Sequence, residues 1–294
     1  MSFIIRKAER RQVKLRLALT GVSGSGKSLG AINLAVGMGK KFVIIDTEHN
    51  SADLYTRVAE YDVLMLDKPF TPEKYIQAIN QCESLGYEII IVDSLSHAWA
   101  GEGGALDMHD AATQASASKN SYMAWKEITP WQNKLVNTII QSPAHIITTM
   151  RVKTHYDIVD VGGKKRPIKI GLAPIQKEGL EYEFTVVLSM DKDSYLYSSS
   201  KDRTNIFEGK HEQLSQETGK RVIEWLNDGR SMEDVEREEV TGLIADINNS
   251  ASIEALRSIF KSAKERYPAR SDEFTKIATE RSQLLKSNSE GMVS

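Results

Sequence analysis

The stretch Gly21-Val22-Ser23-Gly24-Ser25-Gly26-Lys27-Ser28 fits G-x-x-x-x-G-K-[ST] at every fixed position and constrains the fold more than any other part of the chain. Such a loop belongs between a strand and a helix. Its glycines turn successive backbone N–H groups toward phosphate oxygens at the positive end of the helix that follows. Both flanks are present: Leu15, Leu17 and Leu19 alternate as a strand does, and Leu29 to Met38 has helical composition. Gly21, Val22, Ser23, Gly24, Ser25 and Gly26 then form the cradle. Lys27 reaches the β- and γ-phosphates, and the Ser28 hydroxyl binds Mg2+. ATP with Mg2+ is the expected ligand.

Lys41 to Asp46 reads as a second strand, apolar and β-branched, ending in Asp46-Thr47-Glu48-His49, and Val63 to Leu66 as a third. Thr71-Pro72-Glu73 opens a helix, since proline suits a first turn. In Glu88 to Ser94 four apolar residues end in Asp93, the pattern of a buried parallel strand delivering a carboxylate to the shell of the same Mg2+. The alternation from 14 to 93 predicts an α/β fold with a mostly parallel twisted sheet flanked by helices. Gly21, Glu48 and Asp93 all fall at strand carboxyl ends, where such sheets bind ligands.

With 38 Lys and Arg against 40 Asp and Glu, the net charge of -2 excludes a protein that coats nucleic acid through overall charge; any such contact is local. The single cysteine, Cys82, excludes a disulfide framework and reads as inert packing on a helix face, and the six histidines show no metal-ligand spacing. No signal peptide and no membrane span is evident, so a cytoplasmic protein without membrane contact is expected.

Residues 1–12 are short and basic, either a solvated tail or an arm for a neighbouring subunit. Residues 13–226 read as the core, 227–240 as a linker with an acidic run, 241–287 as a small helical appendage and 288–294 as a disordered tail. Within the core, Ala105 to Ala117 is helical, Ser118 to Ser121 is a break, and the stretch from Trp125 to Trp131 leads into a helix ending near Gln141. Trp125 and Trp131 read as packing, while Trp99 stays open. His145 to Met150 is a strand followed by Arg151 and Lys153. Tyr156 to Ile170 alternates around Gly162-Gly163 as a β-hairpin does, with Lys164, Lys165 and Arg166 at its tip and Lys169 close by. That basic tip suits a phosphate backbone, and equally a solvated edge. Ser194 to Ser198 reads as a later strand. Lys201 and Arg203, at i and i+2, point the same way on a strand, and cations on such an edge can serve a neighbour's triphosphate.

Phe42 to Tyr55, FVIIDTEHNSADLY, resembles the corresponding segment of RecA-type recombinases. The resemblance implies that Glu48 orients the attacking water and that Tyr55 packs on the adenine. In AAA+ ATPases the catalytic glutamate directly follows the aspartate that here is Asp93, whereas Ser94 stands there, so Glu48 is the available base. IITTMRVK resembles the strand entering the second DNA-binding loop of the recombinases, with Thr149 at the place of their sensor glutamine. Lys201 and Arg203 resemble the basic pair that crosses a subunit interface to the neighbour's ATP. DSLSHAWAGEGG, KNSYMAWKEITP, HIITTMRVKTHY, GLEYEFTVVL and SKDRTNIFEG together resemble phage and prophage AAA-family ATPases with a RecA-like core, which include single-strand annealing proteins. This implies an ATPase that binds single-stranded DNA and forms a homo-oligomeric filament or ring. A ring motor or loader, or a nucleotide-gated protein recruiting a single-strand DNA-binding protein, are the alternatives.

Overall fold

The computed structural model describes residues 7–117, 119–161 and 164–290, with 156–161, 164–170, 232 and 288–290 described by their backbone alone. Two compact units result: Val13–Leu226, and a smaller one made of Met1–Gln12 with Asn227–Ser294.

In the larger unit the strands are β1 (Arg16–Gly21), β2 (Phe42–Asp46), β3 (Asp62–Met65), β4 (Ile89–Asp93), β5 (His145–Val161), β6 (Lys164–Pro174), β7 (Val186–Met190) and β8 (Tyr197–Asp202). They run in the order β3-β2-β4-β5-β1-β7-β8, with β6 paired to β5 alone. The pairings from β3 through β7 are parallel, and β6 and β8 join antiparallel. This is the predicted α/β fold with a mostly parallel sheet flanked by helices. β1, β2 and β4 are buried at every position, which explains their nearly unbroken apolar runs. Arg16, at the start of β1, is a buried charge whose guanidinium donates to the carbonyls of Leu15, Ile140 and Ala144 at 2.7 to 3.1 Å, and also to that of Ser142. Burial pulls its pKa down to about 10.

The order places β5 between β1, which enters the glycine loop, and β4, which ends in Asp93. α1 (Lys27–Met38) covers one face of the sheet, and α2 (Pro72–Ser84) and α5 (Ser121–Gln141), separated in the chain by α3 (His97–Ala100) and α4 (Ala105–Ala115), cover the other; these are the two apolar layers of the core. α1 meets α6 (Gln216–Asn227) at bare backbone: a Cβ on Gly37 would lie 1.9 Å from the Gln216 carbonyl oxygen, and one on Gly219 would lie 2.3 Å from that of Leu34. Cys82 is buried in α2 and its thiol is pushed up to about 11 by burial, as inert packing requires.

Several expectations shift. α5 begins at Ser121, ahead of Trp125, because the Asn120 side chain caps it by accepting from the N–H groups of Tyr122 and Met123. β8 begins at Tyr197, so Ser194 lies in a turn: Asp191 Oδ1 gathers the N–H groups of Asp193 and Ser194 and the Ser194 hydroxyl. β8 ends at Asp202, leaving Arg203 beyond the strand rather than two places along it from Lys201.

The smaller unit packs Val240, Leu243 and Ile247 of α7 (Met232–Asn248) against Leu256 and Ala263 of α8 (Ile253–Arg266) and Phe274 and Ala278 of α9 (Ser271–Glu290). Residues 232–240, read as linker, are the first turns of α7. Ser231 Oγ caps them by accepting from the Asp234 N–H at 3.0 Å. The N-terminal segment joins this unit through backbone bonds between Gln12 and Arg230 and between Arg230 and Arg10.

Candidate nucleotide site

The glycine loop closes between β1 and α1 with Gly24 and Gly26 at φ 79° and 83°, left-handed values that explain glycine at both places. Lys27 opens α1, and its Nζ donates to the Val22 carbonyl at 2.8 Å. Burial holds the Lys27 pKa below the ordinary lysine value, against the pull of Asp93 and Glu48.

Asp93 is 4 % exposed at the end of β4. Its Oδ2 accepts from the Ser28 hydroxyl at 2.5 Å, and its Oδ1 accepts from the hydroxyl of Thr149 on the neighbouring β5. Burial pushes this carboxyl above the usual range, and the two hydrogen bonds pull against that. A hydroxyl and a carboxylate at one point are the hard oxygen donors Mg2+ takes, so Ser28 and Asp93 fit that ion. Thr149 is buried with its hydroxyl committed to Asp93.

Glu48 follows β2. Asp46, fully buried, accepts from the Glu48 N–H at 2.6 Å and from the Ala52 N–H at 3.0 Å, and so folds the loop that presents Glu48. His49 and Asn50 then take left-handed conformations. Thr47 Oγ1 accepts from the Ser94 N–H at 2.9 Å and meets His97 Nδ1 at 2.8 Å, tying the ends of β2 and β4. His97 stacks on Phe70, and burial lowers its pKa. Glu48 Oε1 accepts from Arg151 Nε at 3.0 Å, and Arg151 Nη2 lies 2.9 Å from the same oxygen as an ion pair. Arg151 stands on β5 in register with Gly21. One end of the sheet thus gathers Lys27, Ser28, Glu48, Asp93 and Arg151.

A family model described as an AAA domain matches residues 13–228. The chain belongs to the AAA domain family. No curated protein matches it. The family is one of P-loop ATPases, which accounts for the glycine loop and makes the protein's activity nucleotide-dependent. In this AAA domain Ser94 follows Asp93, and its backbone is committed to Thr47 and to the Tyr75 hydroxyl, with Glu48 as the carboxylate alongside.

Beside the glycine loop of the AAA domain lies an open cleft of about 420 Å³, within the range of small-molecule sites. Tyr55, at the end of a 3-10 turn, lines it with Leu29, Asn33, Gln213 and Leu214. So does Tyr195, which the sequence does not single out. It occupies the β7–β8 turn at φ 59°, with its ring 3.3 Å from where a Cβ on Gly26 would stand. The polar turn around Asp191 was the available signal for it.

Other predicted residues of the AAA domain are placed elsewhere. Lys153 is exposed, and strand alternation puts it on the face of β5 that carries Thr149 and Arg151. The backbone sets Lys164, Lys165, Arg166 and Lys169 on β6 of the antiparallel arm, while their side chains, like Gly162 and Gly163, lie outside the described residues. Lys201 and Arg203 lie at the end of the sheet opposite the glycine loop, because β8 runs against β7 and Asp202 pairs with Val186. Lys201 Nζ donates to the carbonyls of Glu181, at 3.4 Å, and Tyr182. Trp99 stacks on Trp125 at 5.6 Å between ring centres, so both pack. Among the described residues no cluster of three or more His, Cys, Asp or Glu could hold a metal, and no helix is long and apolar enough to cross a membrane.

Proposed function

We propose that the protein hydrolyses ATP slowly and binds single-stranded DNA, promoting annealing or strand exchange in phage recombination within the bacterial host cytoplasm. The observation that carries the reading is the meeting of Lys27, Asp93 and Glu48 at one end of the sheet, beside the strand that continues into the β5–β6 arm. The backbone N–H groups of residues 21–28 cradle the phosphates, and Lys27 leaves the Val22 carbonyl for the γ-phosphate. Ser28 and Asp93 would hold Mg2+, which would supply neutralisation of phosphate charge. Glu48 orients a water for attack, and Tyr55 packs on the base. Lys201 and Arg203, remote from their own glycine loop, reach the phosphates of the next copy in a filament or ring. The strand runs along Arg151, Lys153, Lys164, Lys165, Arg166 and Lys169, and release of phosphate resets the assembly. A ring motor or loader shares the placement of Glu48. It differs in forming closed rings that separate strands. A nucleotide-gated protein whose helical unit recruits a single-strand DNA-binding protein is the third reading.

ATP turnover and binding of a labelled oligothymidylate, measured side by side for the native chain and Glu48→Gln, test the reading. The expected result is lost turnover with strand binding retained. Native turnover in Glu48→Gln removes that residue from its role, and absent strand binding at low salt in the presence of ATP removes the DNA reading. Joint replacement of Lys164, Lys165 and Arg166 by alanine tests the arm: unchanged strand binding sinks that path.

A further inference from the structure

A second cavity, of about 200 Å³, shares no residue with the cleft beside the glycine loop and is lined by Trp99, Trp125, Thr129, Gln132 and Lys177. Trp125, Thr129 and Gln132 recur at i, i+4 and i+7, one face of α5. Trp99 belongs to α3, and its indole stacks on that of Trp125 at 5.6 Å between centres and 14° between planes. His109 of α4 stacks on Trp125 as well, at 4.4 Å, so three helices hold the aromatic wall in place.

The floor is polar. Gln132 is 1 % exposed, and its Nε2 donates to Gln176 Oε1 at 2.9 Å. Gln176 is fixed in turn: its Nε2 donates to the Leu95 carbonyl at 3.0 Å, and its Oε1 also accepts from the Lys177 N–H at 2.9 Å. A carbonyl only accepts and a backbone N–H only donates, so neither amide can be turned round. Gln132 Oε1 is thereby left as a buried acceptor with no hydrogen-bond partner among the described residues. Buried polar groups are ordinarily paired, and an unpaired acceptor on a residue lining a cavity calls for a ligand that donates.

Leu95 follows β4, and the Ile175 N–H donates to the Arg151 carbonyl at 2.7 Å, so the cavity sits where the chain returns from the β5–β6 arm to the sheet. Lys177, two residues further on, brings an ammonium group to the rim, where its Nζ donates to Asn133 Oδ1 at 3.2 Å in an exposed bond that an anion can replace. The cavity is smaller than a site for a whole cofactor and has room for one flat ring system. We infer that it takes one unpaired base of single-stranded nucleic acid. The ring packs on the indoles, an N–H of its pairing edge donates to Gln132 Oε1, and the adjoining phosphate meets Lys177. This rests on the single-strand reading above. In a duplex the pairing edge is already engaged, so the cavity tells single strands from double by chemistry. A leucine or phenylalanine side chain from a partner protein fits the walls but leaves Oε1 unmet.

The test is equilibrium binding of the full chain, with a non-hydrolysable ATP analogue present, to three labelled probes of equal length. These are oligothymidylate, an abasic deoxyribose-phosphate oligomer, and oligothymidylate paired with oligodeoxyadenylate. Thr129→Phe fills the cavity while keeping both indoles, and Trp99→Ala removes one wall. Thermal melting establishes which variants are folded; should Trp99→Ala not fold, Thr129→Phe decides alone. The native chain is expected to prefer oligothymidylate to the abasic oligomer. Both variants are expected to weaken oligothymidylate binding about five- to 150-fold, the range for one base–aromatic contact, and to bind the abasic oligomer and the duplex as the native chain does. A folded Thr129→Phe with native affinity for oligothymidylate overturns the inference, as does an equal loss for all three probes. A native chain that binds oligothymidylate and the abasic oligomer alike overturns it and leaves the DNA reading standing. One that binds neither at low salt sinks the DNA reading and the base site together.

Discussion

Thr149 donates its hydroxyl to Oδ1 of Asp93, the carboxylate whose other oxygen accepts from Ser28 at 2.5 Å. Both partners are buried, so the bond orients a largely desolvated carboxylate. Thr149→Val keeps the shape and deletes the donor. It is expected to destabilise the fold by about 1–3 kcal/mol, the cost of leaving a buried acceptor unmet, and to slow hydrolysis, with Thr149→Ser restoring both. Urea unfolding and turnover measured together check this. A valine variant with native turnover removes Thr149 from the site.

His145 provides a pH dependence. Its Nδ1 accepts from the Leu15 N–H at 3.0 Å, and burial, followed by the charges of Lys14, Arg16 and Lys40, lowers its pKa from 6.5 to about 3. The unfolded chain therefore takes up this proton first as pH falls. The contribution is complete above pH 6.5 and declines by about 1.4 kcal/mol per pH unit toward the folded value. His145→Asn, which keeps an acceptor but cannot titrate, is expected to flatten the stability profile between pH 6 and 4. An identical profile in urea titrations across that range would falsify the assignment.

The crossing of α1 and α6 leaves no room for a methyl group. Gly37→Ala meets the backbone of Gln216, which cannot swing aside, and is expected to cost about 1–3 kcal/mol, as overpacking does. Gly242→Ala is the matched comparison, because it lies in α7 with open space around it and is expected to gain about 0.5–1 kcal/mol. Equal melting temperatures for the two variants would contradict the close approach.

Tyr195 is expected to act on nucleotide affinity alone. Tyr195→Ala removes one aromatic wall of the cleft, and an aromatic contact is worth about 0.5–1.5 kcal/mol. The dissociation constant for ATP should rise roughly two- to tenfold with kcat at saturation unchanged. Titration of a fluorescent ATP analogue reads the first quantity, and unaltered affinity excludes Tyr195 from the site.

The residues that were legible in the sequence obey local rules. The glycine loop needs left-handed backbone at Gly24 and Gly26, and an apolar run ending in an acid marks Asp93 and points to Glu48. What was not legible depends on partners far along the chain or on competing local bonds. Arg151 reads as a strand contact, and its pairing with Glu48, 103 residues earlier, leaves no trace in either neighbourhood. Tyr195 is hidden by the alternation of Ser194, Leu196 and Ser198, which imitates a strand until Asp191 gathers the turn. The acidic stretch before Val240 reads as linker because charge outweighs the period of Val235, Val240, Leu243 and Ile247 that makes it a helix.

β5 exchanges its neighbour without a break: Arg151 is the last residue registered to β1, and Val152 the first registered to β6. No joint separates the two stretches, and the first irregularity is the register shift between His155 and Tyr156. The segment from Thr149 to His155 therefore carries no bulge, so the hydroxyl that holds Asp93 and the entry to the arm belong to one uninterrupted strand.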